Sequence, residues 1–332
     1  MMNTHFLYLF GHLRLLEERH SLVSLNKMGI GLIGSPMHNL CYSEAILHSQ
    51  PHCQLKSVCS LDSPIPSASY YICQKRKIEH LIDNEAVNAI IVTSVCSEEL
   101  LKFIILTAVN AGKNILLNNV PNYRNNELAD LLKLAKQNDV NICQDNILSF
   151  SQQYDQVKST LSVNNTLDTG LLRLSAHHII EDDNHLPYNM LHSLIAEKVS
   201  LLLSLLPEFK MSSPSIQYSR PFASIEDGDV LIINLRNENG FLVSFELFFN
   251  TGNVSDKLSL KQSNNSFQFE NYLILNNKNS IVTENSLIIK QLDHFILNLH
   301  KTKKIAITSQ LMSVNKMTES ILNQLRFDKF IL

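Results

Sequence analysis

The first half of the chain alternates short apolar segments with longer amphipathic ones. Continuous apolar runs of this length are typical of strands buried on both faces of a parallel sheet. They occur at residues 29–33, 55–59, 87–93, 115–117 and 140–143. Between them, apolar residues recur at helical spacing, most clearly at 100–108 and 126–136, where the pattern predicts helices.

The helix after the third predicted strand has recognisable ends. Ser97 is a suitable N-cap, and Glu98 and Glu99 suit the positive N-terminal end of a helix. Gly112 is predicted to end this helix in the left-handed conformation. Strands that alternate with helices imply right-handed crossovers, so residues 27–150 are predicted to form a doubly wound α/β domain on a parallel sheet.

The pattern changes beyond residue 150. A strand is predicted at 170–180, and an apolar helix at 189–206. A hairpin turn is predicted at 237–240, because asparagine and glycine tolerate positive φ. Strands are also predicted at 215–218, 230–236, 241–249, 257–261, 267–275 and 286–289, before closing helices at 291–300 and 311–325. Residues 151–332 are therefore predicted to form an α+β domain for substrate binding or oligomerisation, on an open, mostly antiparallel sheet.

The remaining features exclude several classes of protein. Residues 1–26 are predicted to be an extension outside the core fold, with neither a basic leader nor a small-residue cleavage site. No apolar run is long enough to predict a membrane span. The net charge is −3, and no long basic cluster favours nucleic acid. Six cysteines without a Cys-x-x-Cys pair indicate reduced thiols, so we expect a cytoplasmic protein.

A glycine-containing turn follows the first predicted strand. In dinucleotide-binding folds of the Rossmann type, such a turn presents backbone N–H groups and a helix N-terminus to a pyrophosphate. Pro36 and Asn39 occupy the second and third glycine positions here, and proline has no N–H to donate. The predicted cofactor-binding residues of the turn are Gly31, Gly34, Ser35, Pro36 and Met37.

Polar residues follow the next two strands at the same predicted edge. Ser60 could bond a ribose hydroxyl but lacks the charge of a carboxylate. Asp62, two residues on, is the alternative source of that charge. Thr93 and Ser94 end the third strand and are predicted to contact the cofactor. No cation stands beside Ser60 to meet a 2′-phosphate, so NAD is slightly favoured over NADP. A degenerate site that binds nucleotide weakly or not at all is the alternative.

These features together resemble the glucose–fructose oxidoreductase, inositol dehydrogenase and MocA (Gfo/Idh/MocA) family. The resemblance rests on the turn at 31–34, the strand end at 92–94 and the helix exit at 111–113, and it extends over roughly residues 27–325. The closing pattern also fits: a helix at 292–295, a basic segment at 302–304, and Thr308 opening a last long helix. The resemblance implies a nicotinamide-dependent oxidoreductase acting on a sugar, polyol or related small molecule.

The chain departs from the family where that resemblance implies a Glu-Lys-Pro triplet after the fourth strand. The family's lysine anchors the nicotinamide ribose and assists proton transfer. Counting from Lys113 places Asn118 and Asn119 at the Glu and Lys positions, whereas counting back from Pro121 places Asn119 and Val120 there. Neither register supplies a lysine, and loss of a positioned acid/base costs typically about 10²–10⁴-fold in rate. Asn118 and Asn119 remain predicted cofactor ligands.

The resemblance also implies a His-x-x-Asp pair on the first long helix of the second domain, and this chain lacks it. One register places Glu197 and Ser200 at these positions, and another offers His192. Glu197 could act as a base if burial raised its pKa, and His192 could act with no pKa shift. A solvated glutamate and a partly buried, hydrogen-bonded histidine are the ordinary alternatives.

A polar cluster follows the first strand of the second domain. It could bind a divalent metal or a polyol, but a solvated acidic loop is the simpler interpretation, so no metal site is assigned. His178 is retained as a third acid/base candidate. The members of the cluster are His177, His178, Glu181, Asp182, Asp183 and His185.

Two functions therefore stay open. The first is an NAD(P)-dependent oxidoreductase with a non-standard acid/base set. The second is a catalytically silent relative that serves as a nucleotide-binding, regulatory or scaffold subunit, because Ser149 and Gln152 also replace residues common in the family. A homo-oligomer through the second-domain sheet is expected, because alternating apolar residues could form a buried face there: Phe241, Val243, Phe245, Leu247 and Phe249.

Overall fold

The computed structural model describes fourteen segments of the chain. The predicted extension at residues 1–26 and the acidic loop at 179–187 lie outside them, as do Asp62, Ser94, Asn119 and Val120. The described residues are 27–49, 52–61, 68–93, 97–118, 121–144, 146–163, 170–178, 188–212, 214–218, 230–249, 256–262, 265–271, 281–300 and 305–327.

The first half forms the predicted doubly wound parallel sheet. Its five strands pair in the order β2-β1-β3-β4-β5, and every pairing is parallel. The elements are β1 (Met28–Gly34), α1 (Pro36–His48), β2 (Cys53–Ser60), α2 (Ala68–Ile82), β3 (Ala89–Val92), α3 (Glu98–Asn110), β4 (Asn114–Leu117), α4 (Asn125–Gln137), β5 (Ile142–Gln144) and a 3-10 helix (Ile147–Phe150).

Both predicted ends of α3 are confirmed. Ser97 accepts a hydrogen bond on its hydroxyl from the Leu100 N–H at 3.2 Å, which satisfies one of the unpaired donors at the helix start. Gly112 lies just beyond the helix with φ +69°, the left-handed conformation that favours glycine. Local sequence therefore sets the limits of this helix without help from the rest of the fold.

The second half is built on a mixed sheet of six strands. The strand order is β11-β10-β6-β9-β8-β7, and all neighbours are antiparallel except β6 and β9. The elements are α5 (Gln152–Val163), β6 (Gly170–His178), α6 (Tyr188–Leu205), β7 (Ser215–Tyr218), β8 (Val230–Arg236), β9 (Leu242–Phe249), β10 (Asp256–Gln262), β11 (Asn265–Asn271), α7 (Ile281–His300) and α8 (Ile305–Phe327).

The hairpin between β8 and β9 is confirmed. The Gly240 N–H donates to the Asn237 carbonyl at 3.1 Å, and Gly240 has φ +90°. Asn237 also accepts on its side chain from the Phe241 N–H at 2.7 Å. The turn thus uses the residue types that make this segment recognisable in the sequence.

The strand predicted at 286–289 is wrong, because these residues lie inside α7. Ile288, Leu292 and Phe295 recur at helical spacing and are buried against the parallel sheet, whereas Ser286 is exposed. A short apolar run cannot by itself distinguish a strand from a turn of buried helix. Helix α7 packs on α1, and α8 packs on α4 and β5, so both closing helices return to the first sheet.

The alternating apolar residues of β9 do not form a subunit interface. Phe241, Val243, Phe245, Leu247 and Phe249 are all 0% exposed, in one core cluster with the apolar face of α6. A period of two shows which face of a strand is buried, but not what covers it. A homo-oligomer through this sheet stays a prediction and would use the opposite face, where Arg173 pairs with Glu246 at 2.7 Å and Leu242 is exposed.

None of the helices in the described segments combines the length and apolar character needed to cross a membrane.

Candidate functional site

The carboxyl ends of β1 and β3 are where a sheet of this strand order forms a crevice for a ligand. The chain leaves β1 towards β2 on one side and later continues with β3 on the other, which makes this the topological switch point of the sheet. Helix α1 begins directly after β1, with Ser35 as its N-cap. The Ser35 hydroxyl accepts from the His38 N–H at 3.4 Å, a long contact that an incoming anion could replace.

Asn39 ties together three strand ends beneath the crevice. Its side-chain amide donates to the Gly34 carbonyl at 3.0 Å and to the Cys59 carbonyl at 3.3 Å. Its carbonyl oxygen accepts from the Thr93 hydroxyl at 2.9 Å, and both side chains are buried. An asparagine at the third glycine position therefore replaces close backbone packing by hydrogen bonds that hold β1, β2 and β3 in register. The hydroxyl of Thr93, a predicted cofactor ligand, therefore already donates its hydrogen to Asn39.

Asn118 follows β4 and is also held by the protein. Its amide N–H donates to the Thr93 carbonyl at 3.0 Å, and its carbonyl oxygen lies 2.9 Å from the Tyr42 hydroxyl. The same hydroxyl lies 2.7 Å from the side-chain oxygen of Gln291, which α7 contributes and which is 0% exposed. A hydroxyl has one hydrogen, so the Tyr42 hydroxyl donates to only one of these two amide oxygens at a time.

The remaining predicted cofactor residues fall into two groups. Gly31 lies in the interior of β1, and a side chain there would meet the Leu81 methyl at 2.7 Å, which gives this glycine a packing reason. Gly34, Ser35 and Pro36 lie at the crevice, and Ser60 pairs in register with Gly34 with its side chain exposed. Nothing is described of the Met37 side chain, nor of Ser94 and Asn119.

A cavity of about 470 Å³ opens at the carboxyl end of β5. The 3-10 helix, α5, α6, α7 and α8 surround it. Hydroxyl and amide groups dominate the described lining, which contains no Asp or Glu. Among them are Gln144, Asn146, Ser149, Ser200 and Ser204. The Gln144 side-chain oxygen is buried without a hydrogen-bond partner in the described part of the chain, so it can accept a hydrogen bond from a ligand.

Glu197 stands one helical turn before Ser200, a residue of the cavity wall. It shares one face of α6 with Ser200 and Ser204, at the spacing that aligns side chains along a helix. Its main-chain carbonyl accepts from the Asn146 side chain at 3.4 Å, which fixes this turn of α6 at the carboxyl edge of β5. The Glu197 carboxylate lies 3.1 Å from the ammonium of Lys198, and the glutamate side chain is 31% exposed.

His192 does not have the properties expected of an unshifted acid/base. The residue is 1% exposed, and its Nε2 has no hydrogen-bond partner among the described residues. Burial, with a smaller contribution from Lys102, lowers the pKa of His192 from 6.5 to about 4. The expectation that this histidine would titrate near neutrality is therefore wrong, because the environment of the helix face could not be inferred from its spacing.

Protein stability should depend on His192 between pH 4 and 6.5. In that window the unfolded chain binds a proton that the folded chain excludes, so the free energy of unfolding falls as pH falls and levels off below pH 4. The difference between the two pKa values corresponds to about 3 kcal/mol in total. Urea denaturation of His192→Leu across this range should show a flatter pH dependence than the wild type.

The matched control for this experiment is His80→Leu, at an exposed position on α2. This variant should keep the wild-type pH dependence. Equal slopes for His192→Leu and the wild type would show that His192 does not titrate as its burial requires.

Two members of the histidine-rich cluster lie within the described residues. His177 and His178 end β6, paired in register with Phe248 and Phe249, but their side chains are not described. Within the described segments, no group of three or more His, Cys, Asp or Glu side chains could hold a metal ion. His178 stays a prediction.

Comparison with known proteins gives a result only at the level of structure. No family model matches the chain, and no curated protein matches it. A Lactobacillus casei myo-inositol dehydrogenase, in complex with NAD(H) and myo-inositol, has a TM-score of 0.67 at 13% identity and covers 92% of this chain and 96% of its own. The scyllo-inositol dehydrogenase of that species, with NAD(H) and scyllo-inositol, has a TM-score of 0.67 at 10% identity, covering 91% and 98%.

A third structure agrees with these two. The myo-inositol dehydrogenase of Corynebacterium glutamicum ATCC 13032 has a TM-score of 0.66 at 11% identity and covers 92% of this chain and 98% of its own. The chain has the inositol dehydrogenase fold. The predicted resemblance is therefore confirmed in its fold, and sequence identities this low carry no further conclusion.

Within the inositol dehydrogenase fold, three important groups escaped the sequence analysis. Tyr42 and Gln291 come together from positions far apart in the chain, and no local pattern could have paired them. Lys198 is different, since it stands inside the apolar run of α6 and is 2% exposed. A lysine within so apolar a helix is a signal that sequence reasoning could have used.

Proposed function

We propose that the protein is an NAD-dependent oxidoreductase for a small polyhydroxylated molecule, with an acid/base set of its own. The supporting observation is the switch point of the first sheet, where α1 begins directly at the end of β1 and Asn39 fixes the surrounding strand ends. Solved structures of the same fold contain NAD(H), and two of them also contain an inositol.

The residues at the crevice fit a dinucleotide. Gly34 presents no side chain at the end of β1, and the start of α1 offers a partial positive charge to a pyrophosphate. Ser60, exposed at the end of β2, can bond a ribose hydroxyl. No Arg or Lys directly follows Ser60 in the sequence to meet a 2′-phosphate, which favours NAD over NADP. Bound NAD would supply the hydride acceptor for oxidation of an alcohol.

The cavity at β5 supplies the groups that a hydroxylated substrate needs. Ser149, Ser200 and the amides of Gln144 and Asn146 can each donate or accept a hydrogen bond. Gln144 in particular has a buried acceptor that a substrate hydroxyl could satisfy. Glu197, which stands one helical turn before Ser200 and accepts from Asn146 on its main chain, is the carboxylate proposed to remove a hydroxyl proton.

The alternative, a catalytically silent nucleotide-binding subunit, is favoured by one observation. Asn118, which one of the two registers places at the Glu position of the family's triplet, is bound to Thr93 and Tyr42 and exchanges no proton. An enzyme would then depend on groups from the second domain alone. Cofactor binding with no oxidation of any of a panel of inositols and sugars would support this alternative.

The first test is a titration of the purified protein with NADH and NADPH, followed by nicotinamide fluorescence. Micromolar affinity for NADH, with weaker affinity for NADPH, is the expected result. Absence of binding at millimolar NADH would overturn the proposal, because an oxidoreductase of this kind must hold its cofactor.

A further inference from the structure

Lys198 is the most unusual charged residue in the described part of the chain. Its side chain is 2% exposed, in the middle of α6, whose other buried residues are mostly apolar. Removing an ammonium group from water is costly unless a partner compensates for it. A buried lysine on such a helix therefore needs a reason in the structure.

One partner of Lys198 is its sequence neighbour Glu197, with the ammonium 3.1 Å from the carboxylate. Adjacent residues on a helix point about 100° apart and do not normally face each other. The contact therefore requires both side chains to bend towards one point. The lysine end of the pair is buried, while the glutamate is 31% exposed, so the carboxylate is the accessible end.

The position of this pair connects it with the cavity. The Glu197 main chain is bonded to Asn146, a residue of the cavity wall, and Ser200 of the next turn lines the same cavity. Lys158 from α5 and His294 from α7 also line it, while α8 contributes Gln310 and Ser313. The Lys198 ammonium lies in direct contact with the Glu197 carboxylate.

We propose that Glu197 is the acid/base group of this protein and that Lys198 is its positioning residue, holding the carboxylate ionised and turned towards the cavity. This inference rests on the proposed oxidoreductase function. In the oxidation of an alcohol, the substrate O–H bond breaks and its proton goes to Glu197. The C–H bond breaks with its electron pair, which leaves as hydride to the bound cofactor, and the O–H pair becomes the carbonyl double bond. In this proposal, the pair of Glu197 and Lys198 supplies the acid/base function that the family resemblance implies for a lysine after β4.

The decisive measurement is the pKa of the Glu197 carboxyl group, followed by ¹³C NMR in protein labelled at the glutamate side chains. Glu197→Gln identifies the signal. In Lys198→Met, which keeps the length of the side chain without its charge, the pKa of Glu197 should rise by about one to three units. In Lys198→Arg, which keeps the charge, it should rise by less. An unchanged pKa in Lys198→Met would overturn the proposal.

A reciprocal measurement covers the case in which Lys198→Met does not fold. Coupling between two titrating groups acts equally on both, so in Glu197→Gln the Lys198 ammonium pKa, read by ¹⁵N NMR, should fall by a similar amount. No change there would equally overturn the pairing. Neither experiment uses cofactor or substrate, so a protein that binds NADH but shows no coupling would lose this inference and keep the proposed function.

Discussion

Replacing Gly29 by alanine is expected to lower the free energy of unfolding by about 3 kcal/mol or more, within the upper range of overpacked cores. An added Cβ would lie 1.8 Å from the Ala86 carbonyl oxygen, far inside contact distance. Because that neighbour is backbone, relief requires β1 or the turn before β3 to move. The midpoint of urea denaturation, compared with the wild type, measures the effect.

The turn that holds Ala86 has little freedom to yield. The Ala86 N–H donates to the Asn84 side chain at 2.9 Å. The Lys113 ammonium donates to the Asn84 carbonyl at 3.1 Å and to the Val87 carbonyl at 2.7 Å. Gly29 itself donates to the Asn88 side chain at 2.8 Å. Strain introduced at Gly29 would therefore break several hydrogen bonds rather than one.

Gly112→Ala is the matched control, because the same atom is added where nothing lies within 4 Å. Its cost should come only from φ +69°, about 1–2 kcal/mol for a residue with a side chain. Equal losses in the two variants would mean that the contact between Gly29 and Ala86 is less tight than the structure shows.

Local signals explain which parts of the fold were predictable. Ser97, Gly112 and Gly240 act on their own neighbours, so their roles can be inferred from the sequence and are confirmed. Lys113 shows the limit of such inference. It appeared in the sequence as part of a familiar helix exit, but its ammonium braces the turn before β3, a contact across 26 or more residues.

The errors arose where burial depends on a distant partner. The segment at 286–289 is apolar in either a strand or a helix, and only its packing on α1 decides between them. The burial of β9 is supplied by α6 of the same chain rather than by a second subunit. His192 belongs to this class as well, because the covering of its side of the helix comes from distant parts of the chain.

The candidate site likewise has a part that is predictable from neighbouring residues and a part that depends on distant ones. The order of strand, turn and helix around Gly34 predicts the crevice, since those residues are consecutive in the chain. The network of Asn39 and Thr93, and the contact of Tyr42 with Gln291, join residues that are 54 and 249 positions apart. Hydrogen bonds between such distant residues appear only when the sheet has assembled.

NADH is expected to bind about 100-fold more weakly to Ser35→Asp than to Ser35→Asn. Aspartate and asparagine are about equally good N-caps, so either should preserve α1. They differ in charge, and a carboxylate at this N-cap would stand where the crevice is proposed to hold a pyrophosphate. Two negative charges about 4 Å apart near a protein surface repel each other by several kcal/mol. Because Ser35 is partly exposed, we expect the repulsion to weaken NADH binding by about 2.7 kcal/mol, a factor of 100.

Ionic strength provides the control that separates charge from shape. The difference between the two variants should shrink as salt rises, because the screening length falls from about 10 Å at 0.1 M to about 3 Å at 1 M. A steric cause would leave the ratio unchanged. Equal NADH affinities at low salt would place the phosphates away from the α1 N-terminus, even if the protein bound the nucleotide well. The pair of variants therefore tests whether Pro36, which removes one N–H donor from the turn, still leaves an anion site at this helix start.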